Sequence, residues 1–160
     1  MDNNTVNYKG EAERDVENYE TPSVSTEAIV IRKNGDFGHQ ILLTKKENEP
    51  FKGHLAFPGG FVGYGEDPES TVLKGLEKKC GIVGSDPQLA DVSGRATRDP
   101  QKHIVSIFYS VLLSEQEALK VGKNKTSAKW YNLYDIWTLK DKFAYDFRMM
   151  LWKYIEDKFP

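Results

Sequence analysis

The stretch from residue 55 to residue 83 constrains the fold of this chain most, because it combines a glycine-rich turn with one amphipathic helix. Turns of this composition form where the backbone needs positive φ or passes very close to another segment. The residues that give this stretch its turn character are Pro58, Gly59, Gly60, Gly63 and Gly65. We therefore expect a strand, a tight turn and then a helix.

The helix has clear start and stop signals. Asp67 offers a side-chain oxygen for the N-cap, and Pro68 has the fixed φ that suits the first helical position. Gly81 follows the last apolar position and is typical of a residue just beyond a helix C-terminus. Between these ends, apolar residues recur at helical spacing and predict a buried stripe made of Val72, Leu73, Leu76 and Cys80.

This stretch resembles the Nudix box, whose pattern is G-x5-E-x7-R-E-U-x-E-E-x-G-U, with U an aliphatic residue. Gly60 and Glu66 stand at the first glycine and the first glutamate of that pattern. Gly81 and Ile82 stand at its end, and the register needs no gap. Lys74 occupies the position of the arginine. The box of this chain is nevertheless degenerate, as the next positions show.

The resemblance extends over about residues 24 to 157 and includes features of the ADP-ribose pyrophosphatase-like branch and of Nudix-related transcriptional regulators. It implies an α+β fold, an α/β/α sandwich in which a mixed β-sheet is flanked by helices. The pattern of the chain itself predicts strands near 24–33, 39–45, 55–57, 88–97 and 103–113, and the resemblance implies a late strand at 130–133.

Composition and charge favour one soluble domain with a separate acidic arm. The chain has 160 residues, 39% hydrophobic residues and a net charge of −2. This net charge implies no strong electrostatic attraction to nucleic acids or membranes. Residues 1–22 contain six acidic and two basic residues and few large apolar ones, so we expect a flexible arm there and a Nudix-like domain over 23–160. With one cysteine and no signal, transit or membrane-spanning pattern, a cytoplasmic location is favoured.

The chain departs from the Nudix box where the resemblance implies metal chemistry. In the family, three glutamates at the positions numbered 75, 78 and 79 here share one helix face and hold magnesium or manganese. This chain has Gly75, Lys78 and Lys79 instead. Ammonium groups donate hydrogen bonds and repel a cation. We therefore expect no resident metal or other cofactor, and we expect Gly75 to leave room on this face.

An active hydrolase remains the alternative interpretation. It would be a magnesium- or manganese-dependent enzyme that cleaves the pyrophosphate bond of a nucleoside diphosphate linked to another group. Glu66 and Glu69 are its candidate catalytic carboxylates, with Glu66 the candidate metal ligand. Glu77 lies one step before Lys78 and is expected to point away from that face. Lys78 and Lys79 have their own plain alternative, a solvated helix surface.

The favoured interpretation is a non-hydrolytic protein that binds a nucleoside diphosphate derivative such as ADP-ribose. Lys78 and Lys79 would supply positive charge beside the phosphates. Arg95 and Arg98 are further candidate phosphate contacts, although Arg98 with Asp99 also fits a surface turn. Trp130 is a candidate for stacking on the base, with core packing as its alternative. The turn residues Gly59 and Gly60 complete the predicted set.

A third interpretation is a structural or regulatory subunit of a larger protein complex. The segment 142–159 is predicted to form an amphipathic helix with more aromatic and methionine surface than one face requires. This helix, or the acidic arm 1–22, would then contact a protein partner or a second copy. The sequence shows no helix-turn-helix module after the domain, so direct nucleic-acid binding is not expected. No apolar run approaches the length that spans a bilayer, so membrane binding is not expected either.

Overall fold

The structure is a computed structural model, and it describes residues 20–36, 38–123, 127–139 and 142–159. All but the last three residues of the predicted acidic arm, 1–22, lie outside the described residues. The division into an arm and a domain therefore stays a prediction.

The first sheet is mixed and contains the strand at the centre of the fold. Its four strands lie in the order Gly59–Phe61 (β5), Ser23–Ile29 (β1), Ile104–Leu112 (β7) and Ser85–Ser93 (β6). β1 runs parallel to β7 and antiparallel to β5, and β6 pairs antiparallel with β7. β1 thus has a neighbour on each side, and its residues are held in fixed register with both.

The second sheet is built around one long strand, Gly38–Lys45 (β3). The hairpin strand Ile31–Asn34 (β2), the short strand Leu55–Ala56 (β4) and the late strand Ala128–Asn132 (β8) all pair antiparallel with β3. The predicted mixed sheet is therefore present as two four-stranded sheets.

Among the described residues, three α-helices and two short 3-10 turns connect and cover the strands. The helices are Pro68–Cys80 (α1), Glu115–Ala118 (α2) and Phe147–Lys158 (α3), and the 3-10 turns are Ala96–Arg98 and Ile136–Thr138. Of these helices, α1 is the longest, with 13 residues. None of the helices in the described part of the chain has the length and apolar content that crossing a membrane requires.

Two buried clusters pack on opposite faces of the strands. Neighbouring residues of β1 alternate between them, with Ile29 in one cluster and Ala28 in the other. α1 covers one face through Val72, Leu76 and Cys80, and α3 covers the other through Phe147, Met150 and Leu151. This arrangement confirms the predicted α+β Nudix fold with helices on both sides.

The ends of α1 agree with the sequence signals in position. The helix begins at Pro68, and Gly81 takes the left-handed conformation with φ 68°. Asp67 is extended, but its side chain makes no capping hydrogen bond to any described residue. The Thr71 hydroxyl instead lies 3.1 Å from the Asp67 carbonyl oxygen and 3.2 Å from the Glu66 carboxylate, so this threonine ties the turn to the helix.

The C-terminal helix is shorter than the predicted span of 142–159. It begins at Phe147, because the preceding residues are paired with β4. The Leu55 amide donates to the Lys142 carbonyl, and the Ala144 amide donates to the Leu55 carbonyl, each at 2.8 Å. A contact with a distant strand therefore overrides the local helical pattern.

Candidate functional site

A cavity of about 760 Å³ brings the predicted cationic residues together. Its walls come from β1, β3, β5, the end of α1, β7 and the loops around residues 46–50, 98–102 and 145–147. The volume lies within the usual range for small-molecule sites. Its described lining includes six cationic residues, Lys45, Lys46, Lys78, Lys79, Arg98 and Lys102, and four acidic ones, Glu27, Glu47, Glu49 and Asp99.

Helix α1 presents different chemistry to the cavity and to the sheet. Lys78 and Lys79 lie in its last turn, are exposed and line the cavity. Gly75 is buried, and a Cβ there would lie 2.5 Å from the Gly59 carbonyl carbon. A Cβ on Gly59 would in turn lie 1.8 Å from the Thr26 carbonyl oxygen. The prediction that Gly75 leaves room is therefore wrong, because helix, turn and β1 are in direct backbone contact.

The carboxylates near α1 do not fit a resident magnesium or manganese ion. Glu66 accepts from the Thr71 hydroxyl and lies 4.0 Å from the Lys74 ammonium, and neither Glu66 nor Glu69 lines the cavity. Within the described ranges, no group of three His, Cys, Asp or Glu side chains is placed to hold a metal ion. Hard cations need several oxygen ligands, whereas ammonium groups stand at two of the family's glutamate positions.

Arg98 forms a buried, anchored cation in the cavity wall. Its Nε donates to Asp146 at 3.0 Å, and its Nη1 donates to the Ile104 carbonyl and the Ser106 hydroxyl, each at 3.0 Å. Its side chain is 3% exposed, so the surface-turn alternative for Arg98 is wrong. Nη2 is buried and has no hydrogen-bond partner in the described part of the chain. A buried donor without a partner is costly.

Glu27 is the acidic residue of the same wall that the sequence analysis missed. It is buried on β1, and its Oε1 accepts from the hydroxyls of Ser25 at 2.9 Å and Ser106 at 3.3 Å. Burial raises the pKa of the Glu27 carboxyl to about 7, although Lys79, Ser25, Arg98 and Ser106 lower it. A glutamate inside a strand of buried residues was the available signal, since glutamate is almost never buried without partners.

Two aromatic rings at the cavity each lie beneath a lysine ammonium group. The sequence analysis did not predict them as site residues. The Lys102 ammonium lies 4.6 Å from the centre of the Phe61 ring, which is 56% exposed. The Lys46 ammonium lies 4.9 Å from the centre of the Tyr145 ring and donates to its hydroxyl at 2.8 Å. Both pairs line the cavity and place an aromatic face beside a positive charge.

The other predicted ligand residues take different positions. Gly60 lines the cavity, whereas Gly59 lies behind it against Thr26. Arg95 is exposed and lies outside the cavity lining. Trp130 also lies outside the lining: its indole N–H donates to the Ala118 carbonyl at 3.2 Å, and the Arg32 guanidinium covers its ring at 4.2 Å. The binding roles of these residues stay predictions.

The predicted partner surface on the C-terminal segment is only partly exposed. Met149 and Trp152 on α3 are 52% and 50% exposed. Tyr145 faces the cavity instead, and the Phe159 ring packs against His39 at 4.8 Å. A protein partner or homodimer contact through this segment therefore stays a prediction, now centred on Met149 and Trp152.

Comparison with known proteins identifies the family. The sequence model of the NUDIX domain matches residues 22–153. This chain belongs to the Nudix family. The match covers the box helix and both sheets, so it agrees with the resemblance of residues 55–83 and with the fold. It does not by itself distinguish an active Nudix hydrolase from a degenerate one.

Two relatives whose names state an activity resemble this Nudix chain over most of its length. An ADP-ribose pyrophosphatase of Methanocaldococcus jannaschii is 31% identical over 148 residues, which are 91% of this chain and 82% of that protein. The ADPR responsive transcriptional repressor NtrR of Acinetobacter baylyi is 31% identical over 116 residues, which are 70% of this chain and 45% of the repressor. The predicted relationship to the ADP-ribose pyrophosphatase and regulator branch is confirmed.

A solved regulator structure bears on the nucleic-acid prediction. Shewanella oneidensis NrtR complexed with a 27mer DNA is 26% identical, with a TM-score of 0.72, over 84% of this Nudix chain and 61% of that chain. The chain thus spans less than two thirds of this regulator. Since the regulator binds DNA, the comparison does not support the prediction that this chain has no nucleic-acid partner.

Proposed function

We propose that this Nudix protein binds a nucleoside diphosphate derivative of the ADP-ribose type and does not hydrolyse it through a resident divalent ion. The observation that carries the proposal is the position of Lys78 and Lys79, which line the cavity together with the buried Arg98. Cations thus stand around the space in which the family holds its metal and phosphates.

The charges of the cavity suit a diphosphate. ADP-ribose carries two negative charges on its two phosphates, and the described lining has two more cationic than acidic residues, six against four. Opposite charges about 4 Å apart attract by about 1–4 kcal/mol, from bulk water to the neighbourhood of a protein surface. Arg98 is already held by Asp146 and Ser106, so it contributes a fixed positive charge to the cavity wall with little loss of side-chain freedom on binding.

The relatives support ADP-ribose as the first ligand to test. One is named for cleaving ADP-ribose, and another for responding to ADPR. The alternative, an active magnesium- or manganese-dependent hydrolase, depends on Glu66 or Glu69. Neither lines the cavity, and Glu66 is engaged by Thr71 and Lys74. Without several carboxylates of the box helix at the cavity, water activation by a metal loses its support.

Calorimetric titration with ADP-ribose in the presence of a chelator tests the proposal. We expect the wild type to bind, and we expect Lys78→Glu/Lys79→Glu to lose at least about tenfold in affinity, since two attractive contacts become repulsive. Lys74→Glu is the matched control: it reverses an exposed charge on the same helix outside the cavity, and we expect little change.

Fresh samples without chelator are then incubated with manganese and ADP-ribose and assayed for AMP release. We expect intact ADP-ribose. The proposal is wrong if the wild type fails to bind, if the double variant binds as tightly as the wild type, or if AMP is released and the release is lost in Glu66→Gln.

A further inference from the structure

We propose that Glu27 takes up a proton when a diphosphate enters the cavity, so that ligand binding by this protein is linked to pH. The inference rests on the proposed function and deepens it, because it assigns a role to the buried carboxyl group that lies in the same wall as the cations. It makes Glu27 a residue whose negative charge is removed as the negative charge of the ligand arrives.

The first support is the position of Glu27 between cations and hydroxyls. Lys79 approaches it from α1 and Arg98 from the 3-10 turn, while hydroxyls come from Ser25 on the same strand and Ser106 on β7. Its partner strand β5, Gly59–Phe61, contributes no titratable side chain. The other charged groups of the cavity lining are Lys45, Lys46, Glu47, Glu49, Lys78, Asp99 and Lys102.

The second support is that Glu27 and the ligand share the same cations. Arg98 donates to Ser106, whose hydroxyl lies 2.7 Å from that of Ser25 and 3.3 Å from the Glu27 carboxyl. The cation, the two hydroxyls and the carboxyl thus form one hydrogen-bonded chain. A phosphate at Lys79 or Arg98 would add negative charge beside a carboxyl that is already buried.

The sign of the linkage follows from these contacts. Without ligand, burial raises the Glu27 pKa to about 7 while Lys79 and Arg98 lower it. A bound diphosphate offsets the effect of those two cations, so the pKa rises further in the complex. Below the pKa of the free protein the group is protonated in both states, and affinity is independent of pH. Above it, binding requires proton uptake, and affinity falls by up to about tenfold per pH unit.

ADP-ribose is a suitable probe because its diphosphate has no group that titrates near neutral pH. The described lining of the cavity contains no histidine, the side chain type whose ordinary pKa lies nearest to this window. A proton taken up at pH 7 to 8 therefore reports on a carboxyl of the site. Two of the four carboxyl groups are buried, Glu27 and Asp99, whereas Glu47 and Glu49 are exposed. The Asp99 carboxylate accepts from the backbone amides of Gln101 and Lys102, so the Glu27→Gln variant decides which group takes up the proton.

The test is calorimetric titration of the full chain with ADP-ribose between pH 6 and pH 9, in two buffers of different ionisation enthalpy. For the wild type we expect net proton uptake above pH 7 and a fall in affinity of up to about fivefold from pH 7 to pH 8. We expect Glu27→Gln to bind with no proton uptake and a flat profile. Glu77→Gln, which removes an exposed carboxylate of α1 outside the cavity, should follow the wild type.

The outcomes separate this inference from the proposed function. Binding with no proton uptake and a flat profile in the wild type would overturn the inference and leave the proposed function standing. A wild-type slope that persists in Glu27→Gln would also overturn it. No binding at any pH would overturn both. Because a flat wild-type profile overturns the inference by itself, the inference stays falsifiable even if Glu27→Gln folds poorly.

Discussion

The two sides of helix α1 differ in the side chains that fit there, although both sides depart from the Nudix box pattern. On the sheet side, Gly75 touches the Gly59 backbone and has no space for a side chain. On the cavity side, Lys78 and Lys79 are exposed, and side chains of similar length fit there. The glutamate at position 75 is therefore excluded by sterics, whereas those at 78 and 79 are replaced by residues of opposite charge.

This difference indicates which structural changes would be needed to restore a metal site on α1. Reversing the charges at Lys78 and Lys79 changes only the cavity surface. A glutamate at position 75 requires the helix to move away from β5, which also carries Gly60 and Phe61 of the cavity wall. Restoring the family's three carboxylates is thus a change of backbone packing as well as of charge.

The largest effect is expected for Gly75→Glu. Even a Cβ at this position would lie 2.5 Å from the Gly59 backbone, which can move only if β5 shifts. Overpacking of this kind lowers the free energy of unfolding by about 1–3 kcal/mol or more. We expect a loss of at least about 3 kcal/mol in the free energy of unfolding, measured by chemical denaturation. Lys74→Glu, the adjacent exposed position, is the control. A loss below about 1 kcal/mol at position 75 would show that the contact is not rigid.

A much smaller effect on stability is expected for the cavity side. Lys78→Glu/Lys79→Glu places two negative charges in the last turn of α1, where the helix dipole disfavours them by about 0.3–1 kcal/mol each. Lys78→Gln/Lys79→Gln should cost less still. The same denaturation experiment measures both. A loss as large as that for Gly75→Glu would mean that the lysines stabilise the fold, and the comparison between the two sides would fail.

The sequence predicted those parts of the fold that local signals determine. Pro68 and Gly81 fixed the ends of α1, because their backbone preferences act within one turn. The start of α3 was predicted too early, because residues 142–146 are held by hydrogen bonds to Leu55, which is distant in sequence. Local periodicity carries no information about such pairing.

The candidate site was predicted in part for the same reason. Lys78 and Lys79 follow from the register of the box, and they line the cavity. Glu27 joins the site only because β1 pairs in parallel with β7, which brings Ser25 opposite Ser106. Trp130 lies elsewhere because β8 pairs with β3. These positions depend on which strands become neighbours, and a single sequence does not encode that in a local pattern.

The central claim is tested most directly by titrating the wild-type protein with manganese. Electron paramagnetic resonance measures the free ion, and AMP release from ADP-ribose is assayed in the same samples. The account predicts that the manganese signal stays that of the free ion and that ADP-ribose remains intact. Stoichiometric loss of the free-ion signal together with AMP release, both abolished by Glu66→Gln, would contradict it.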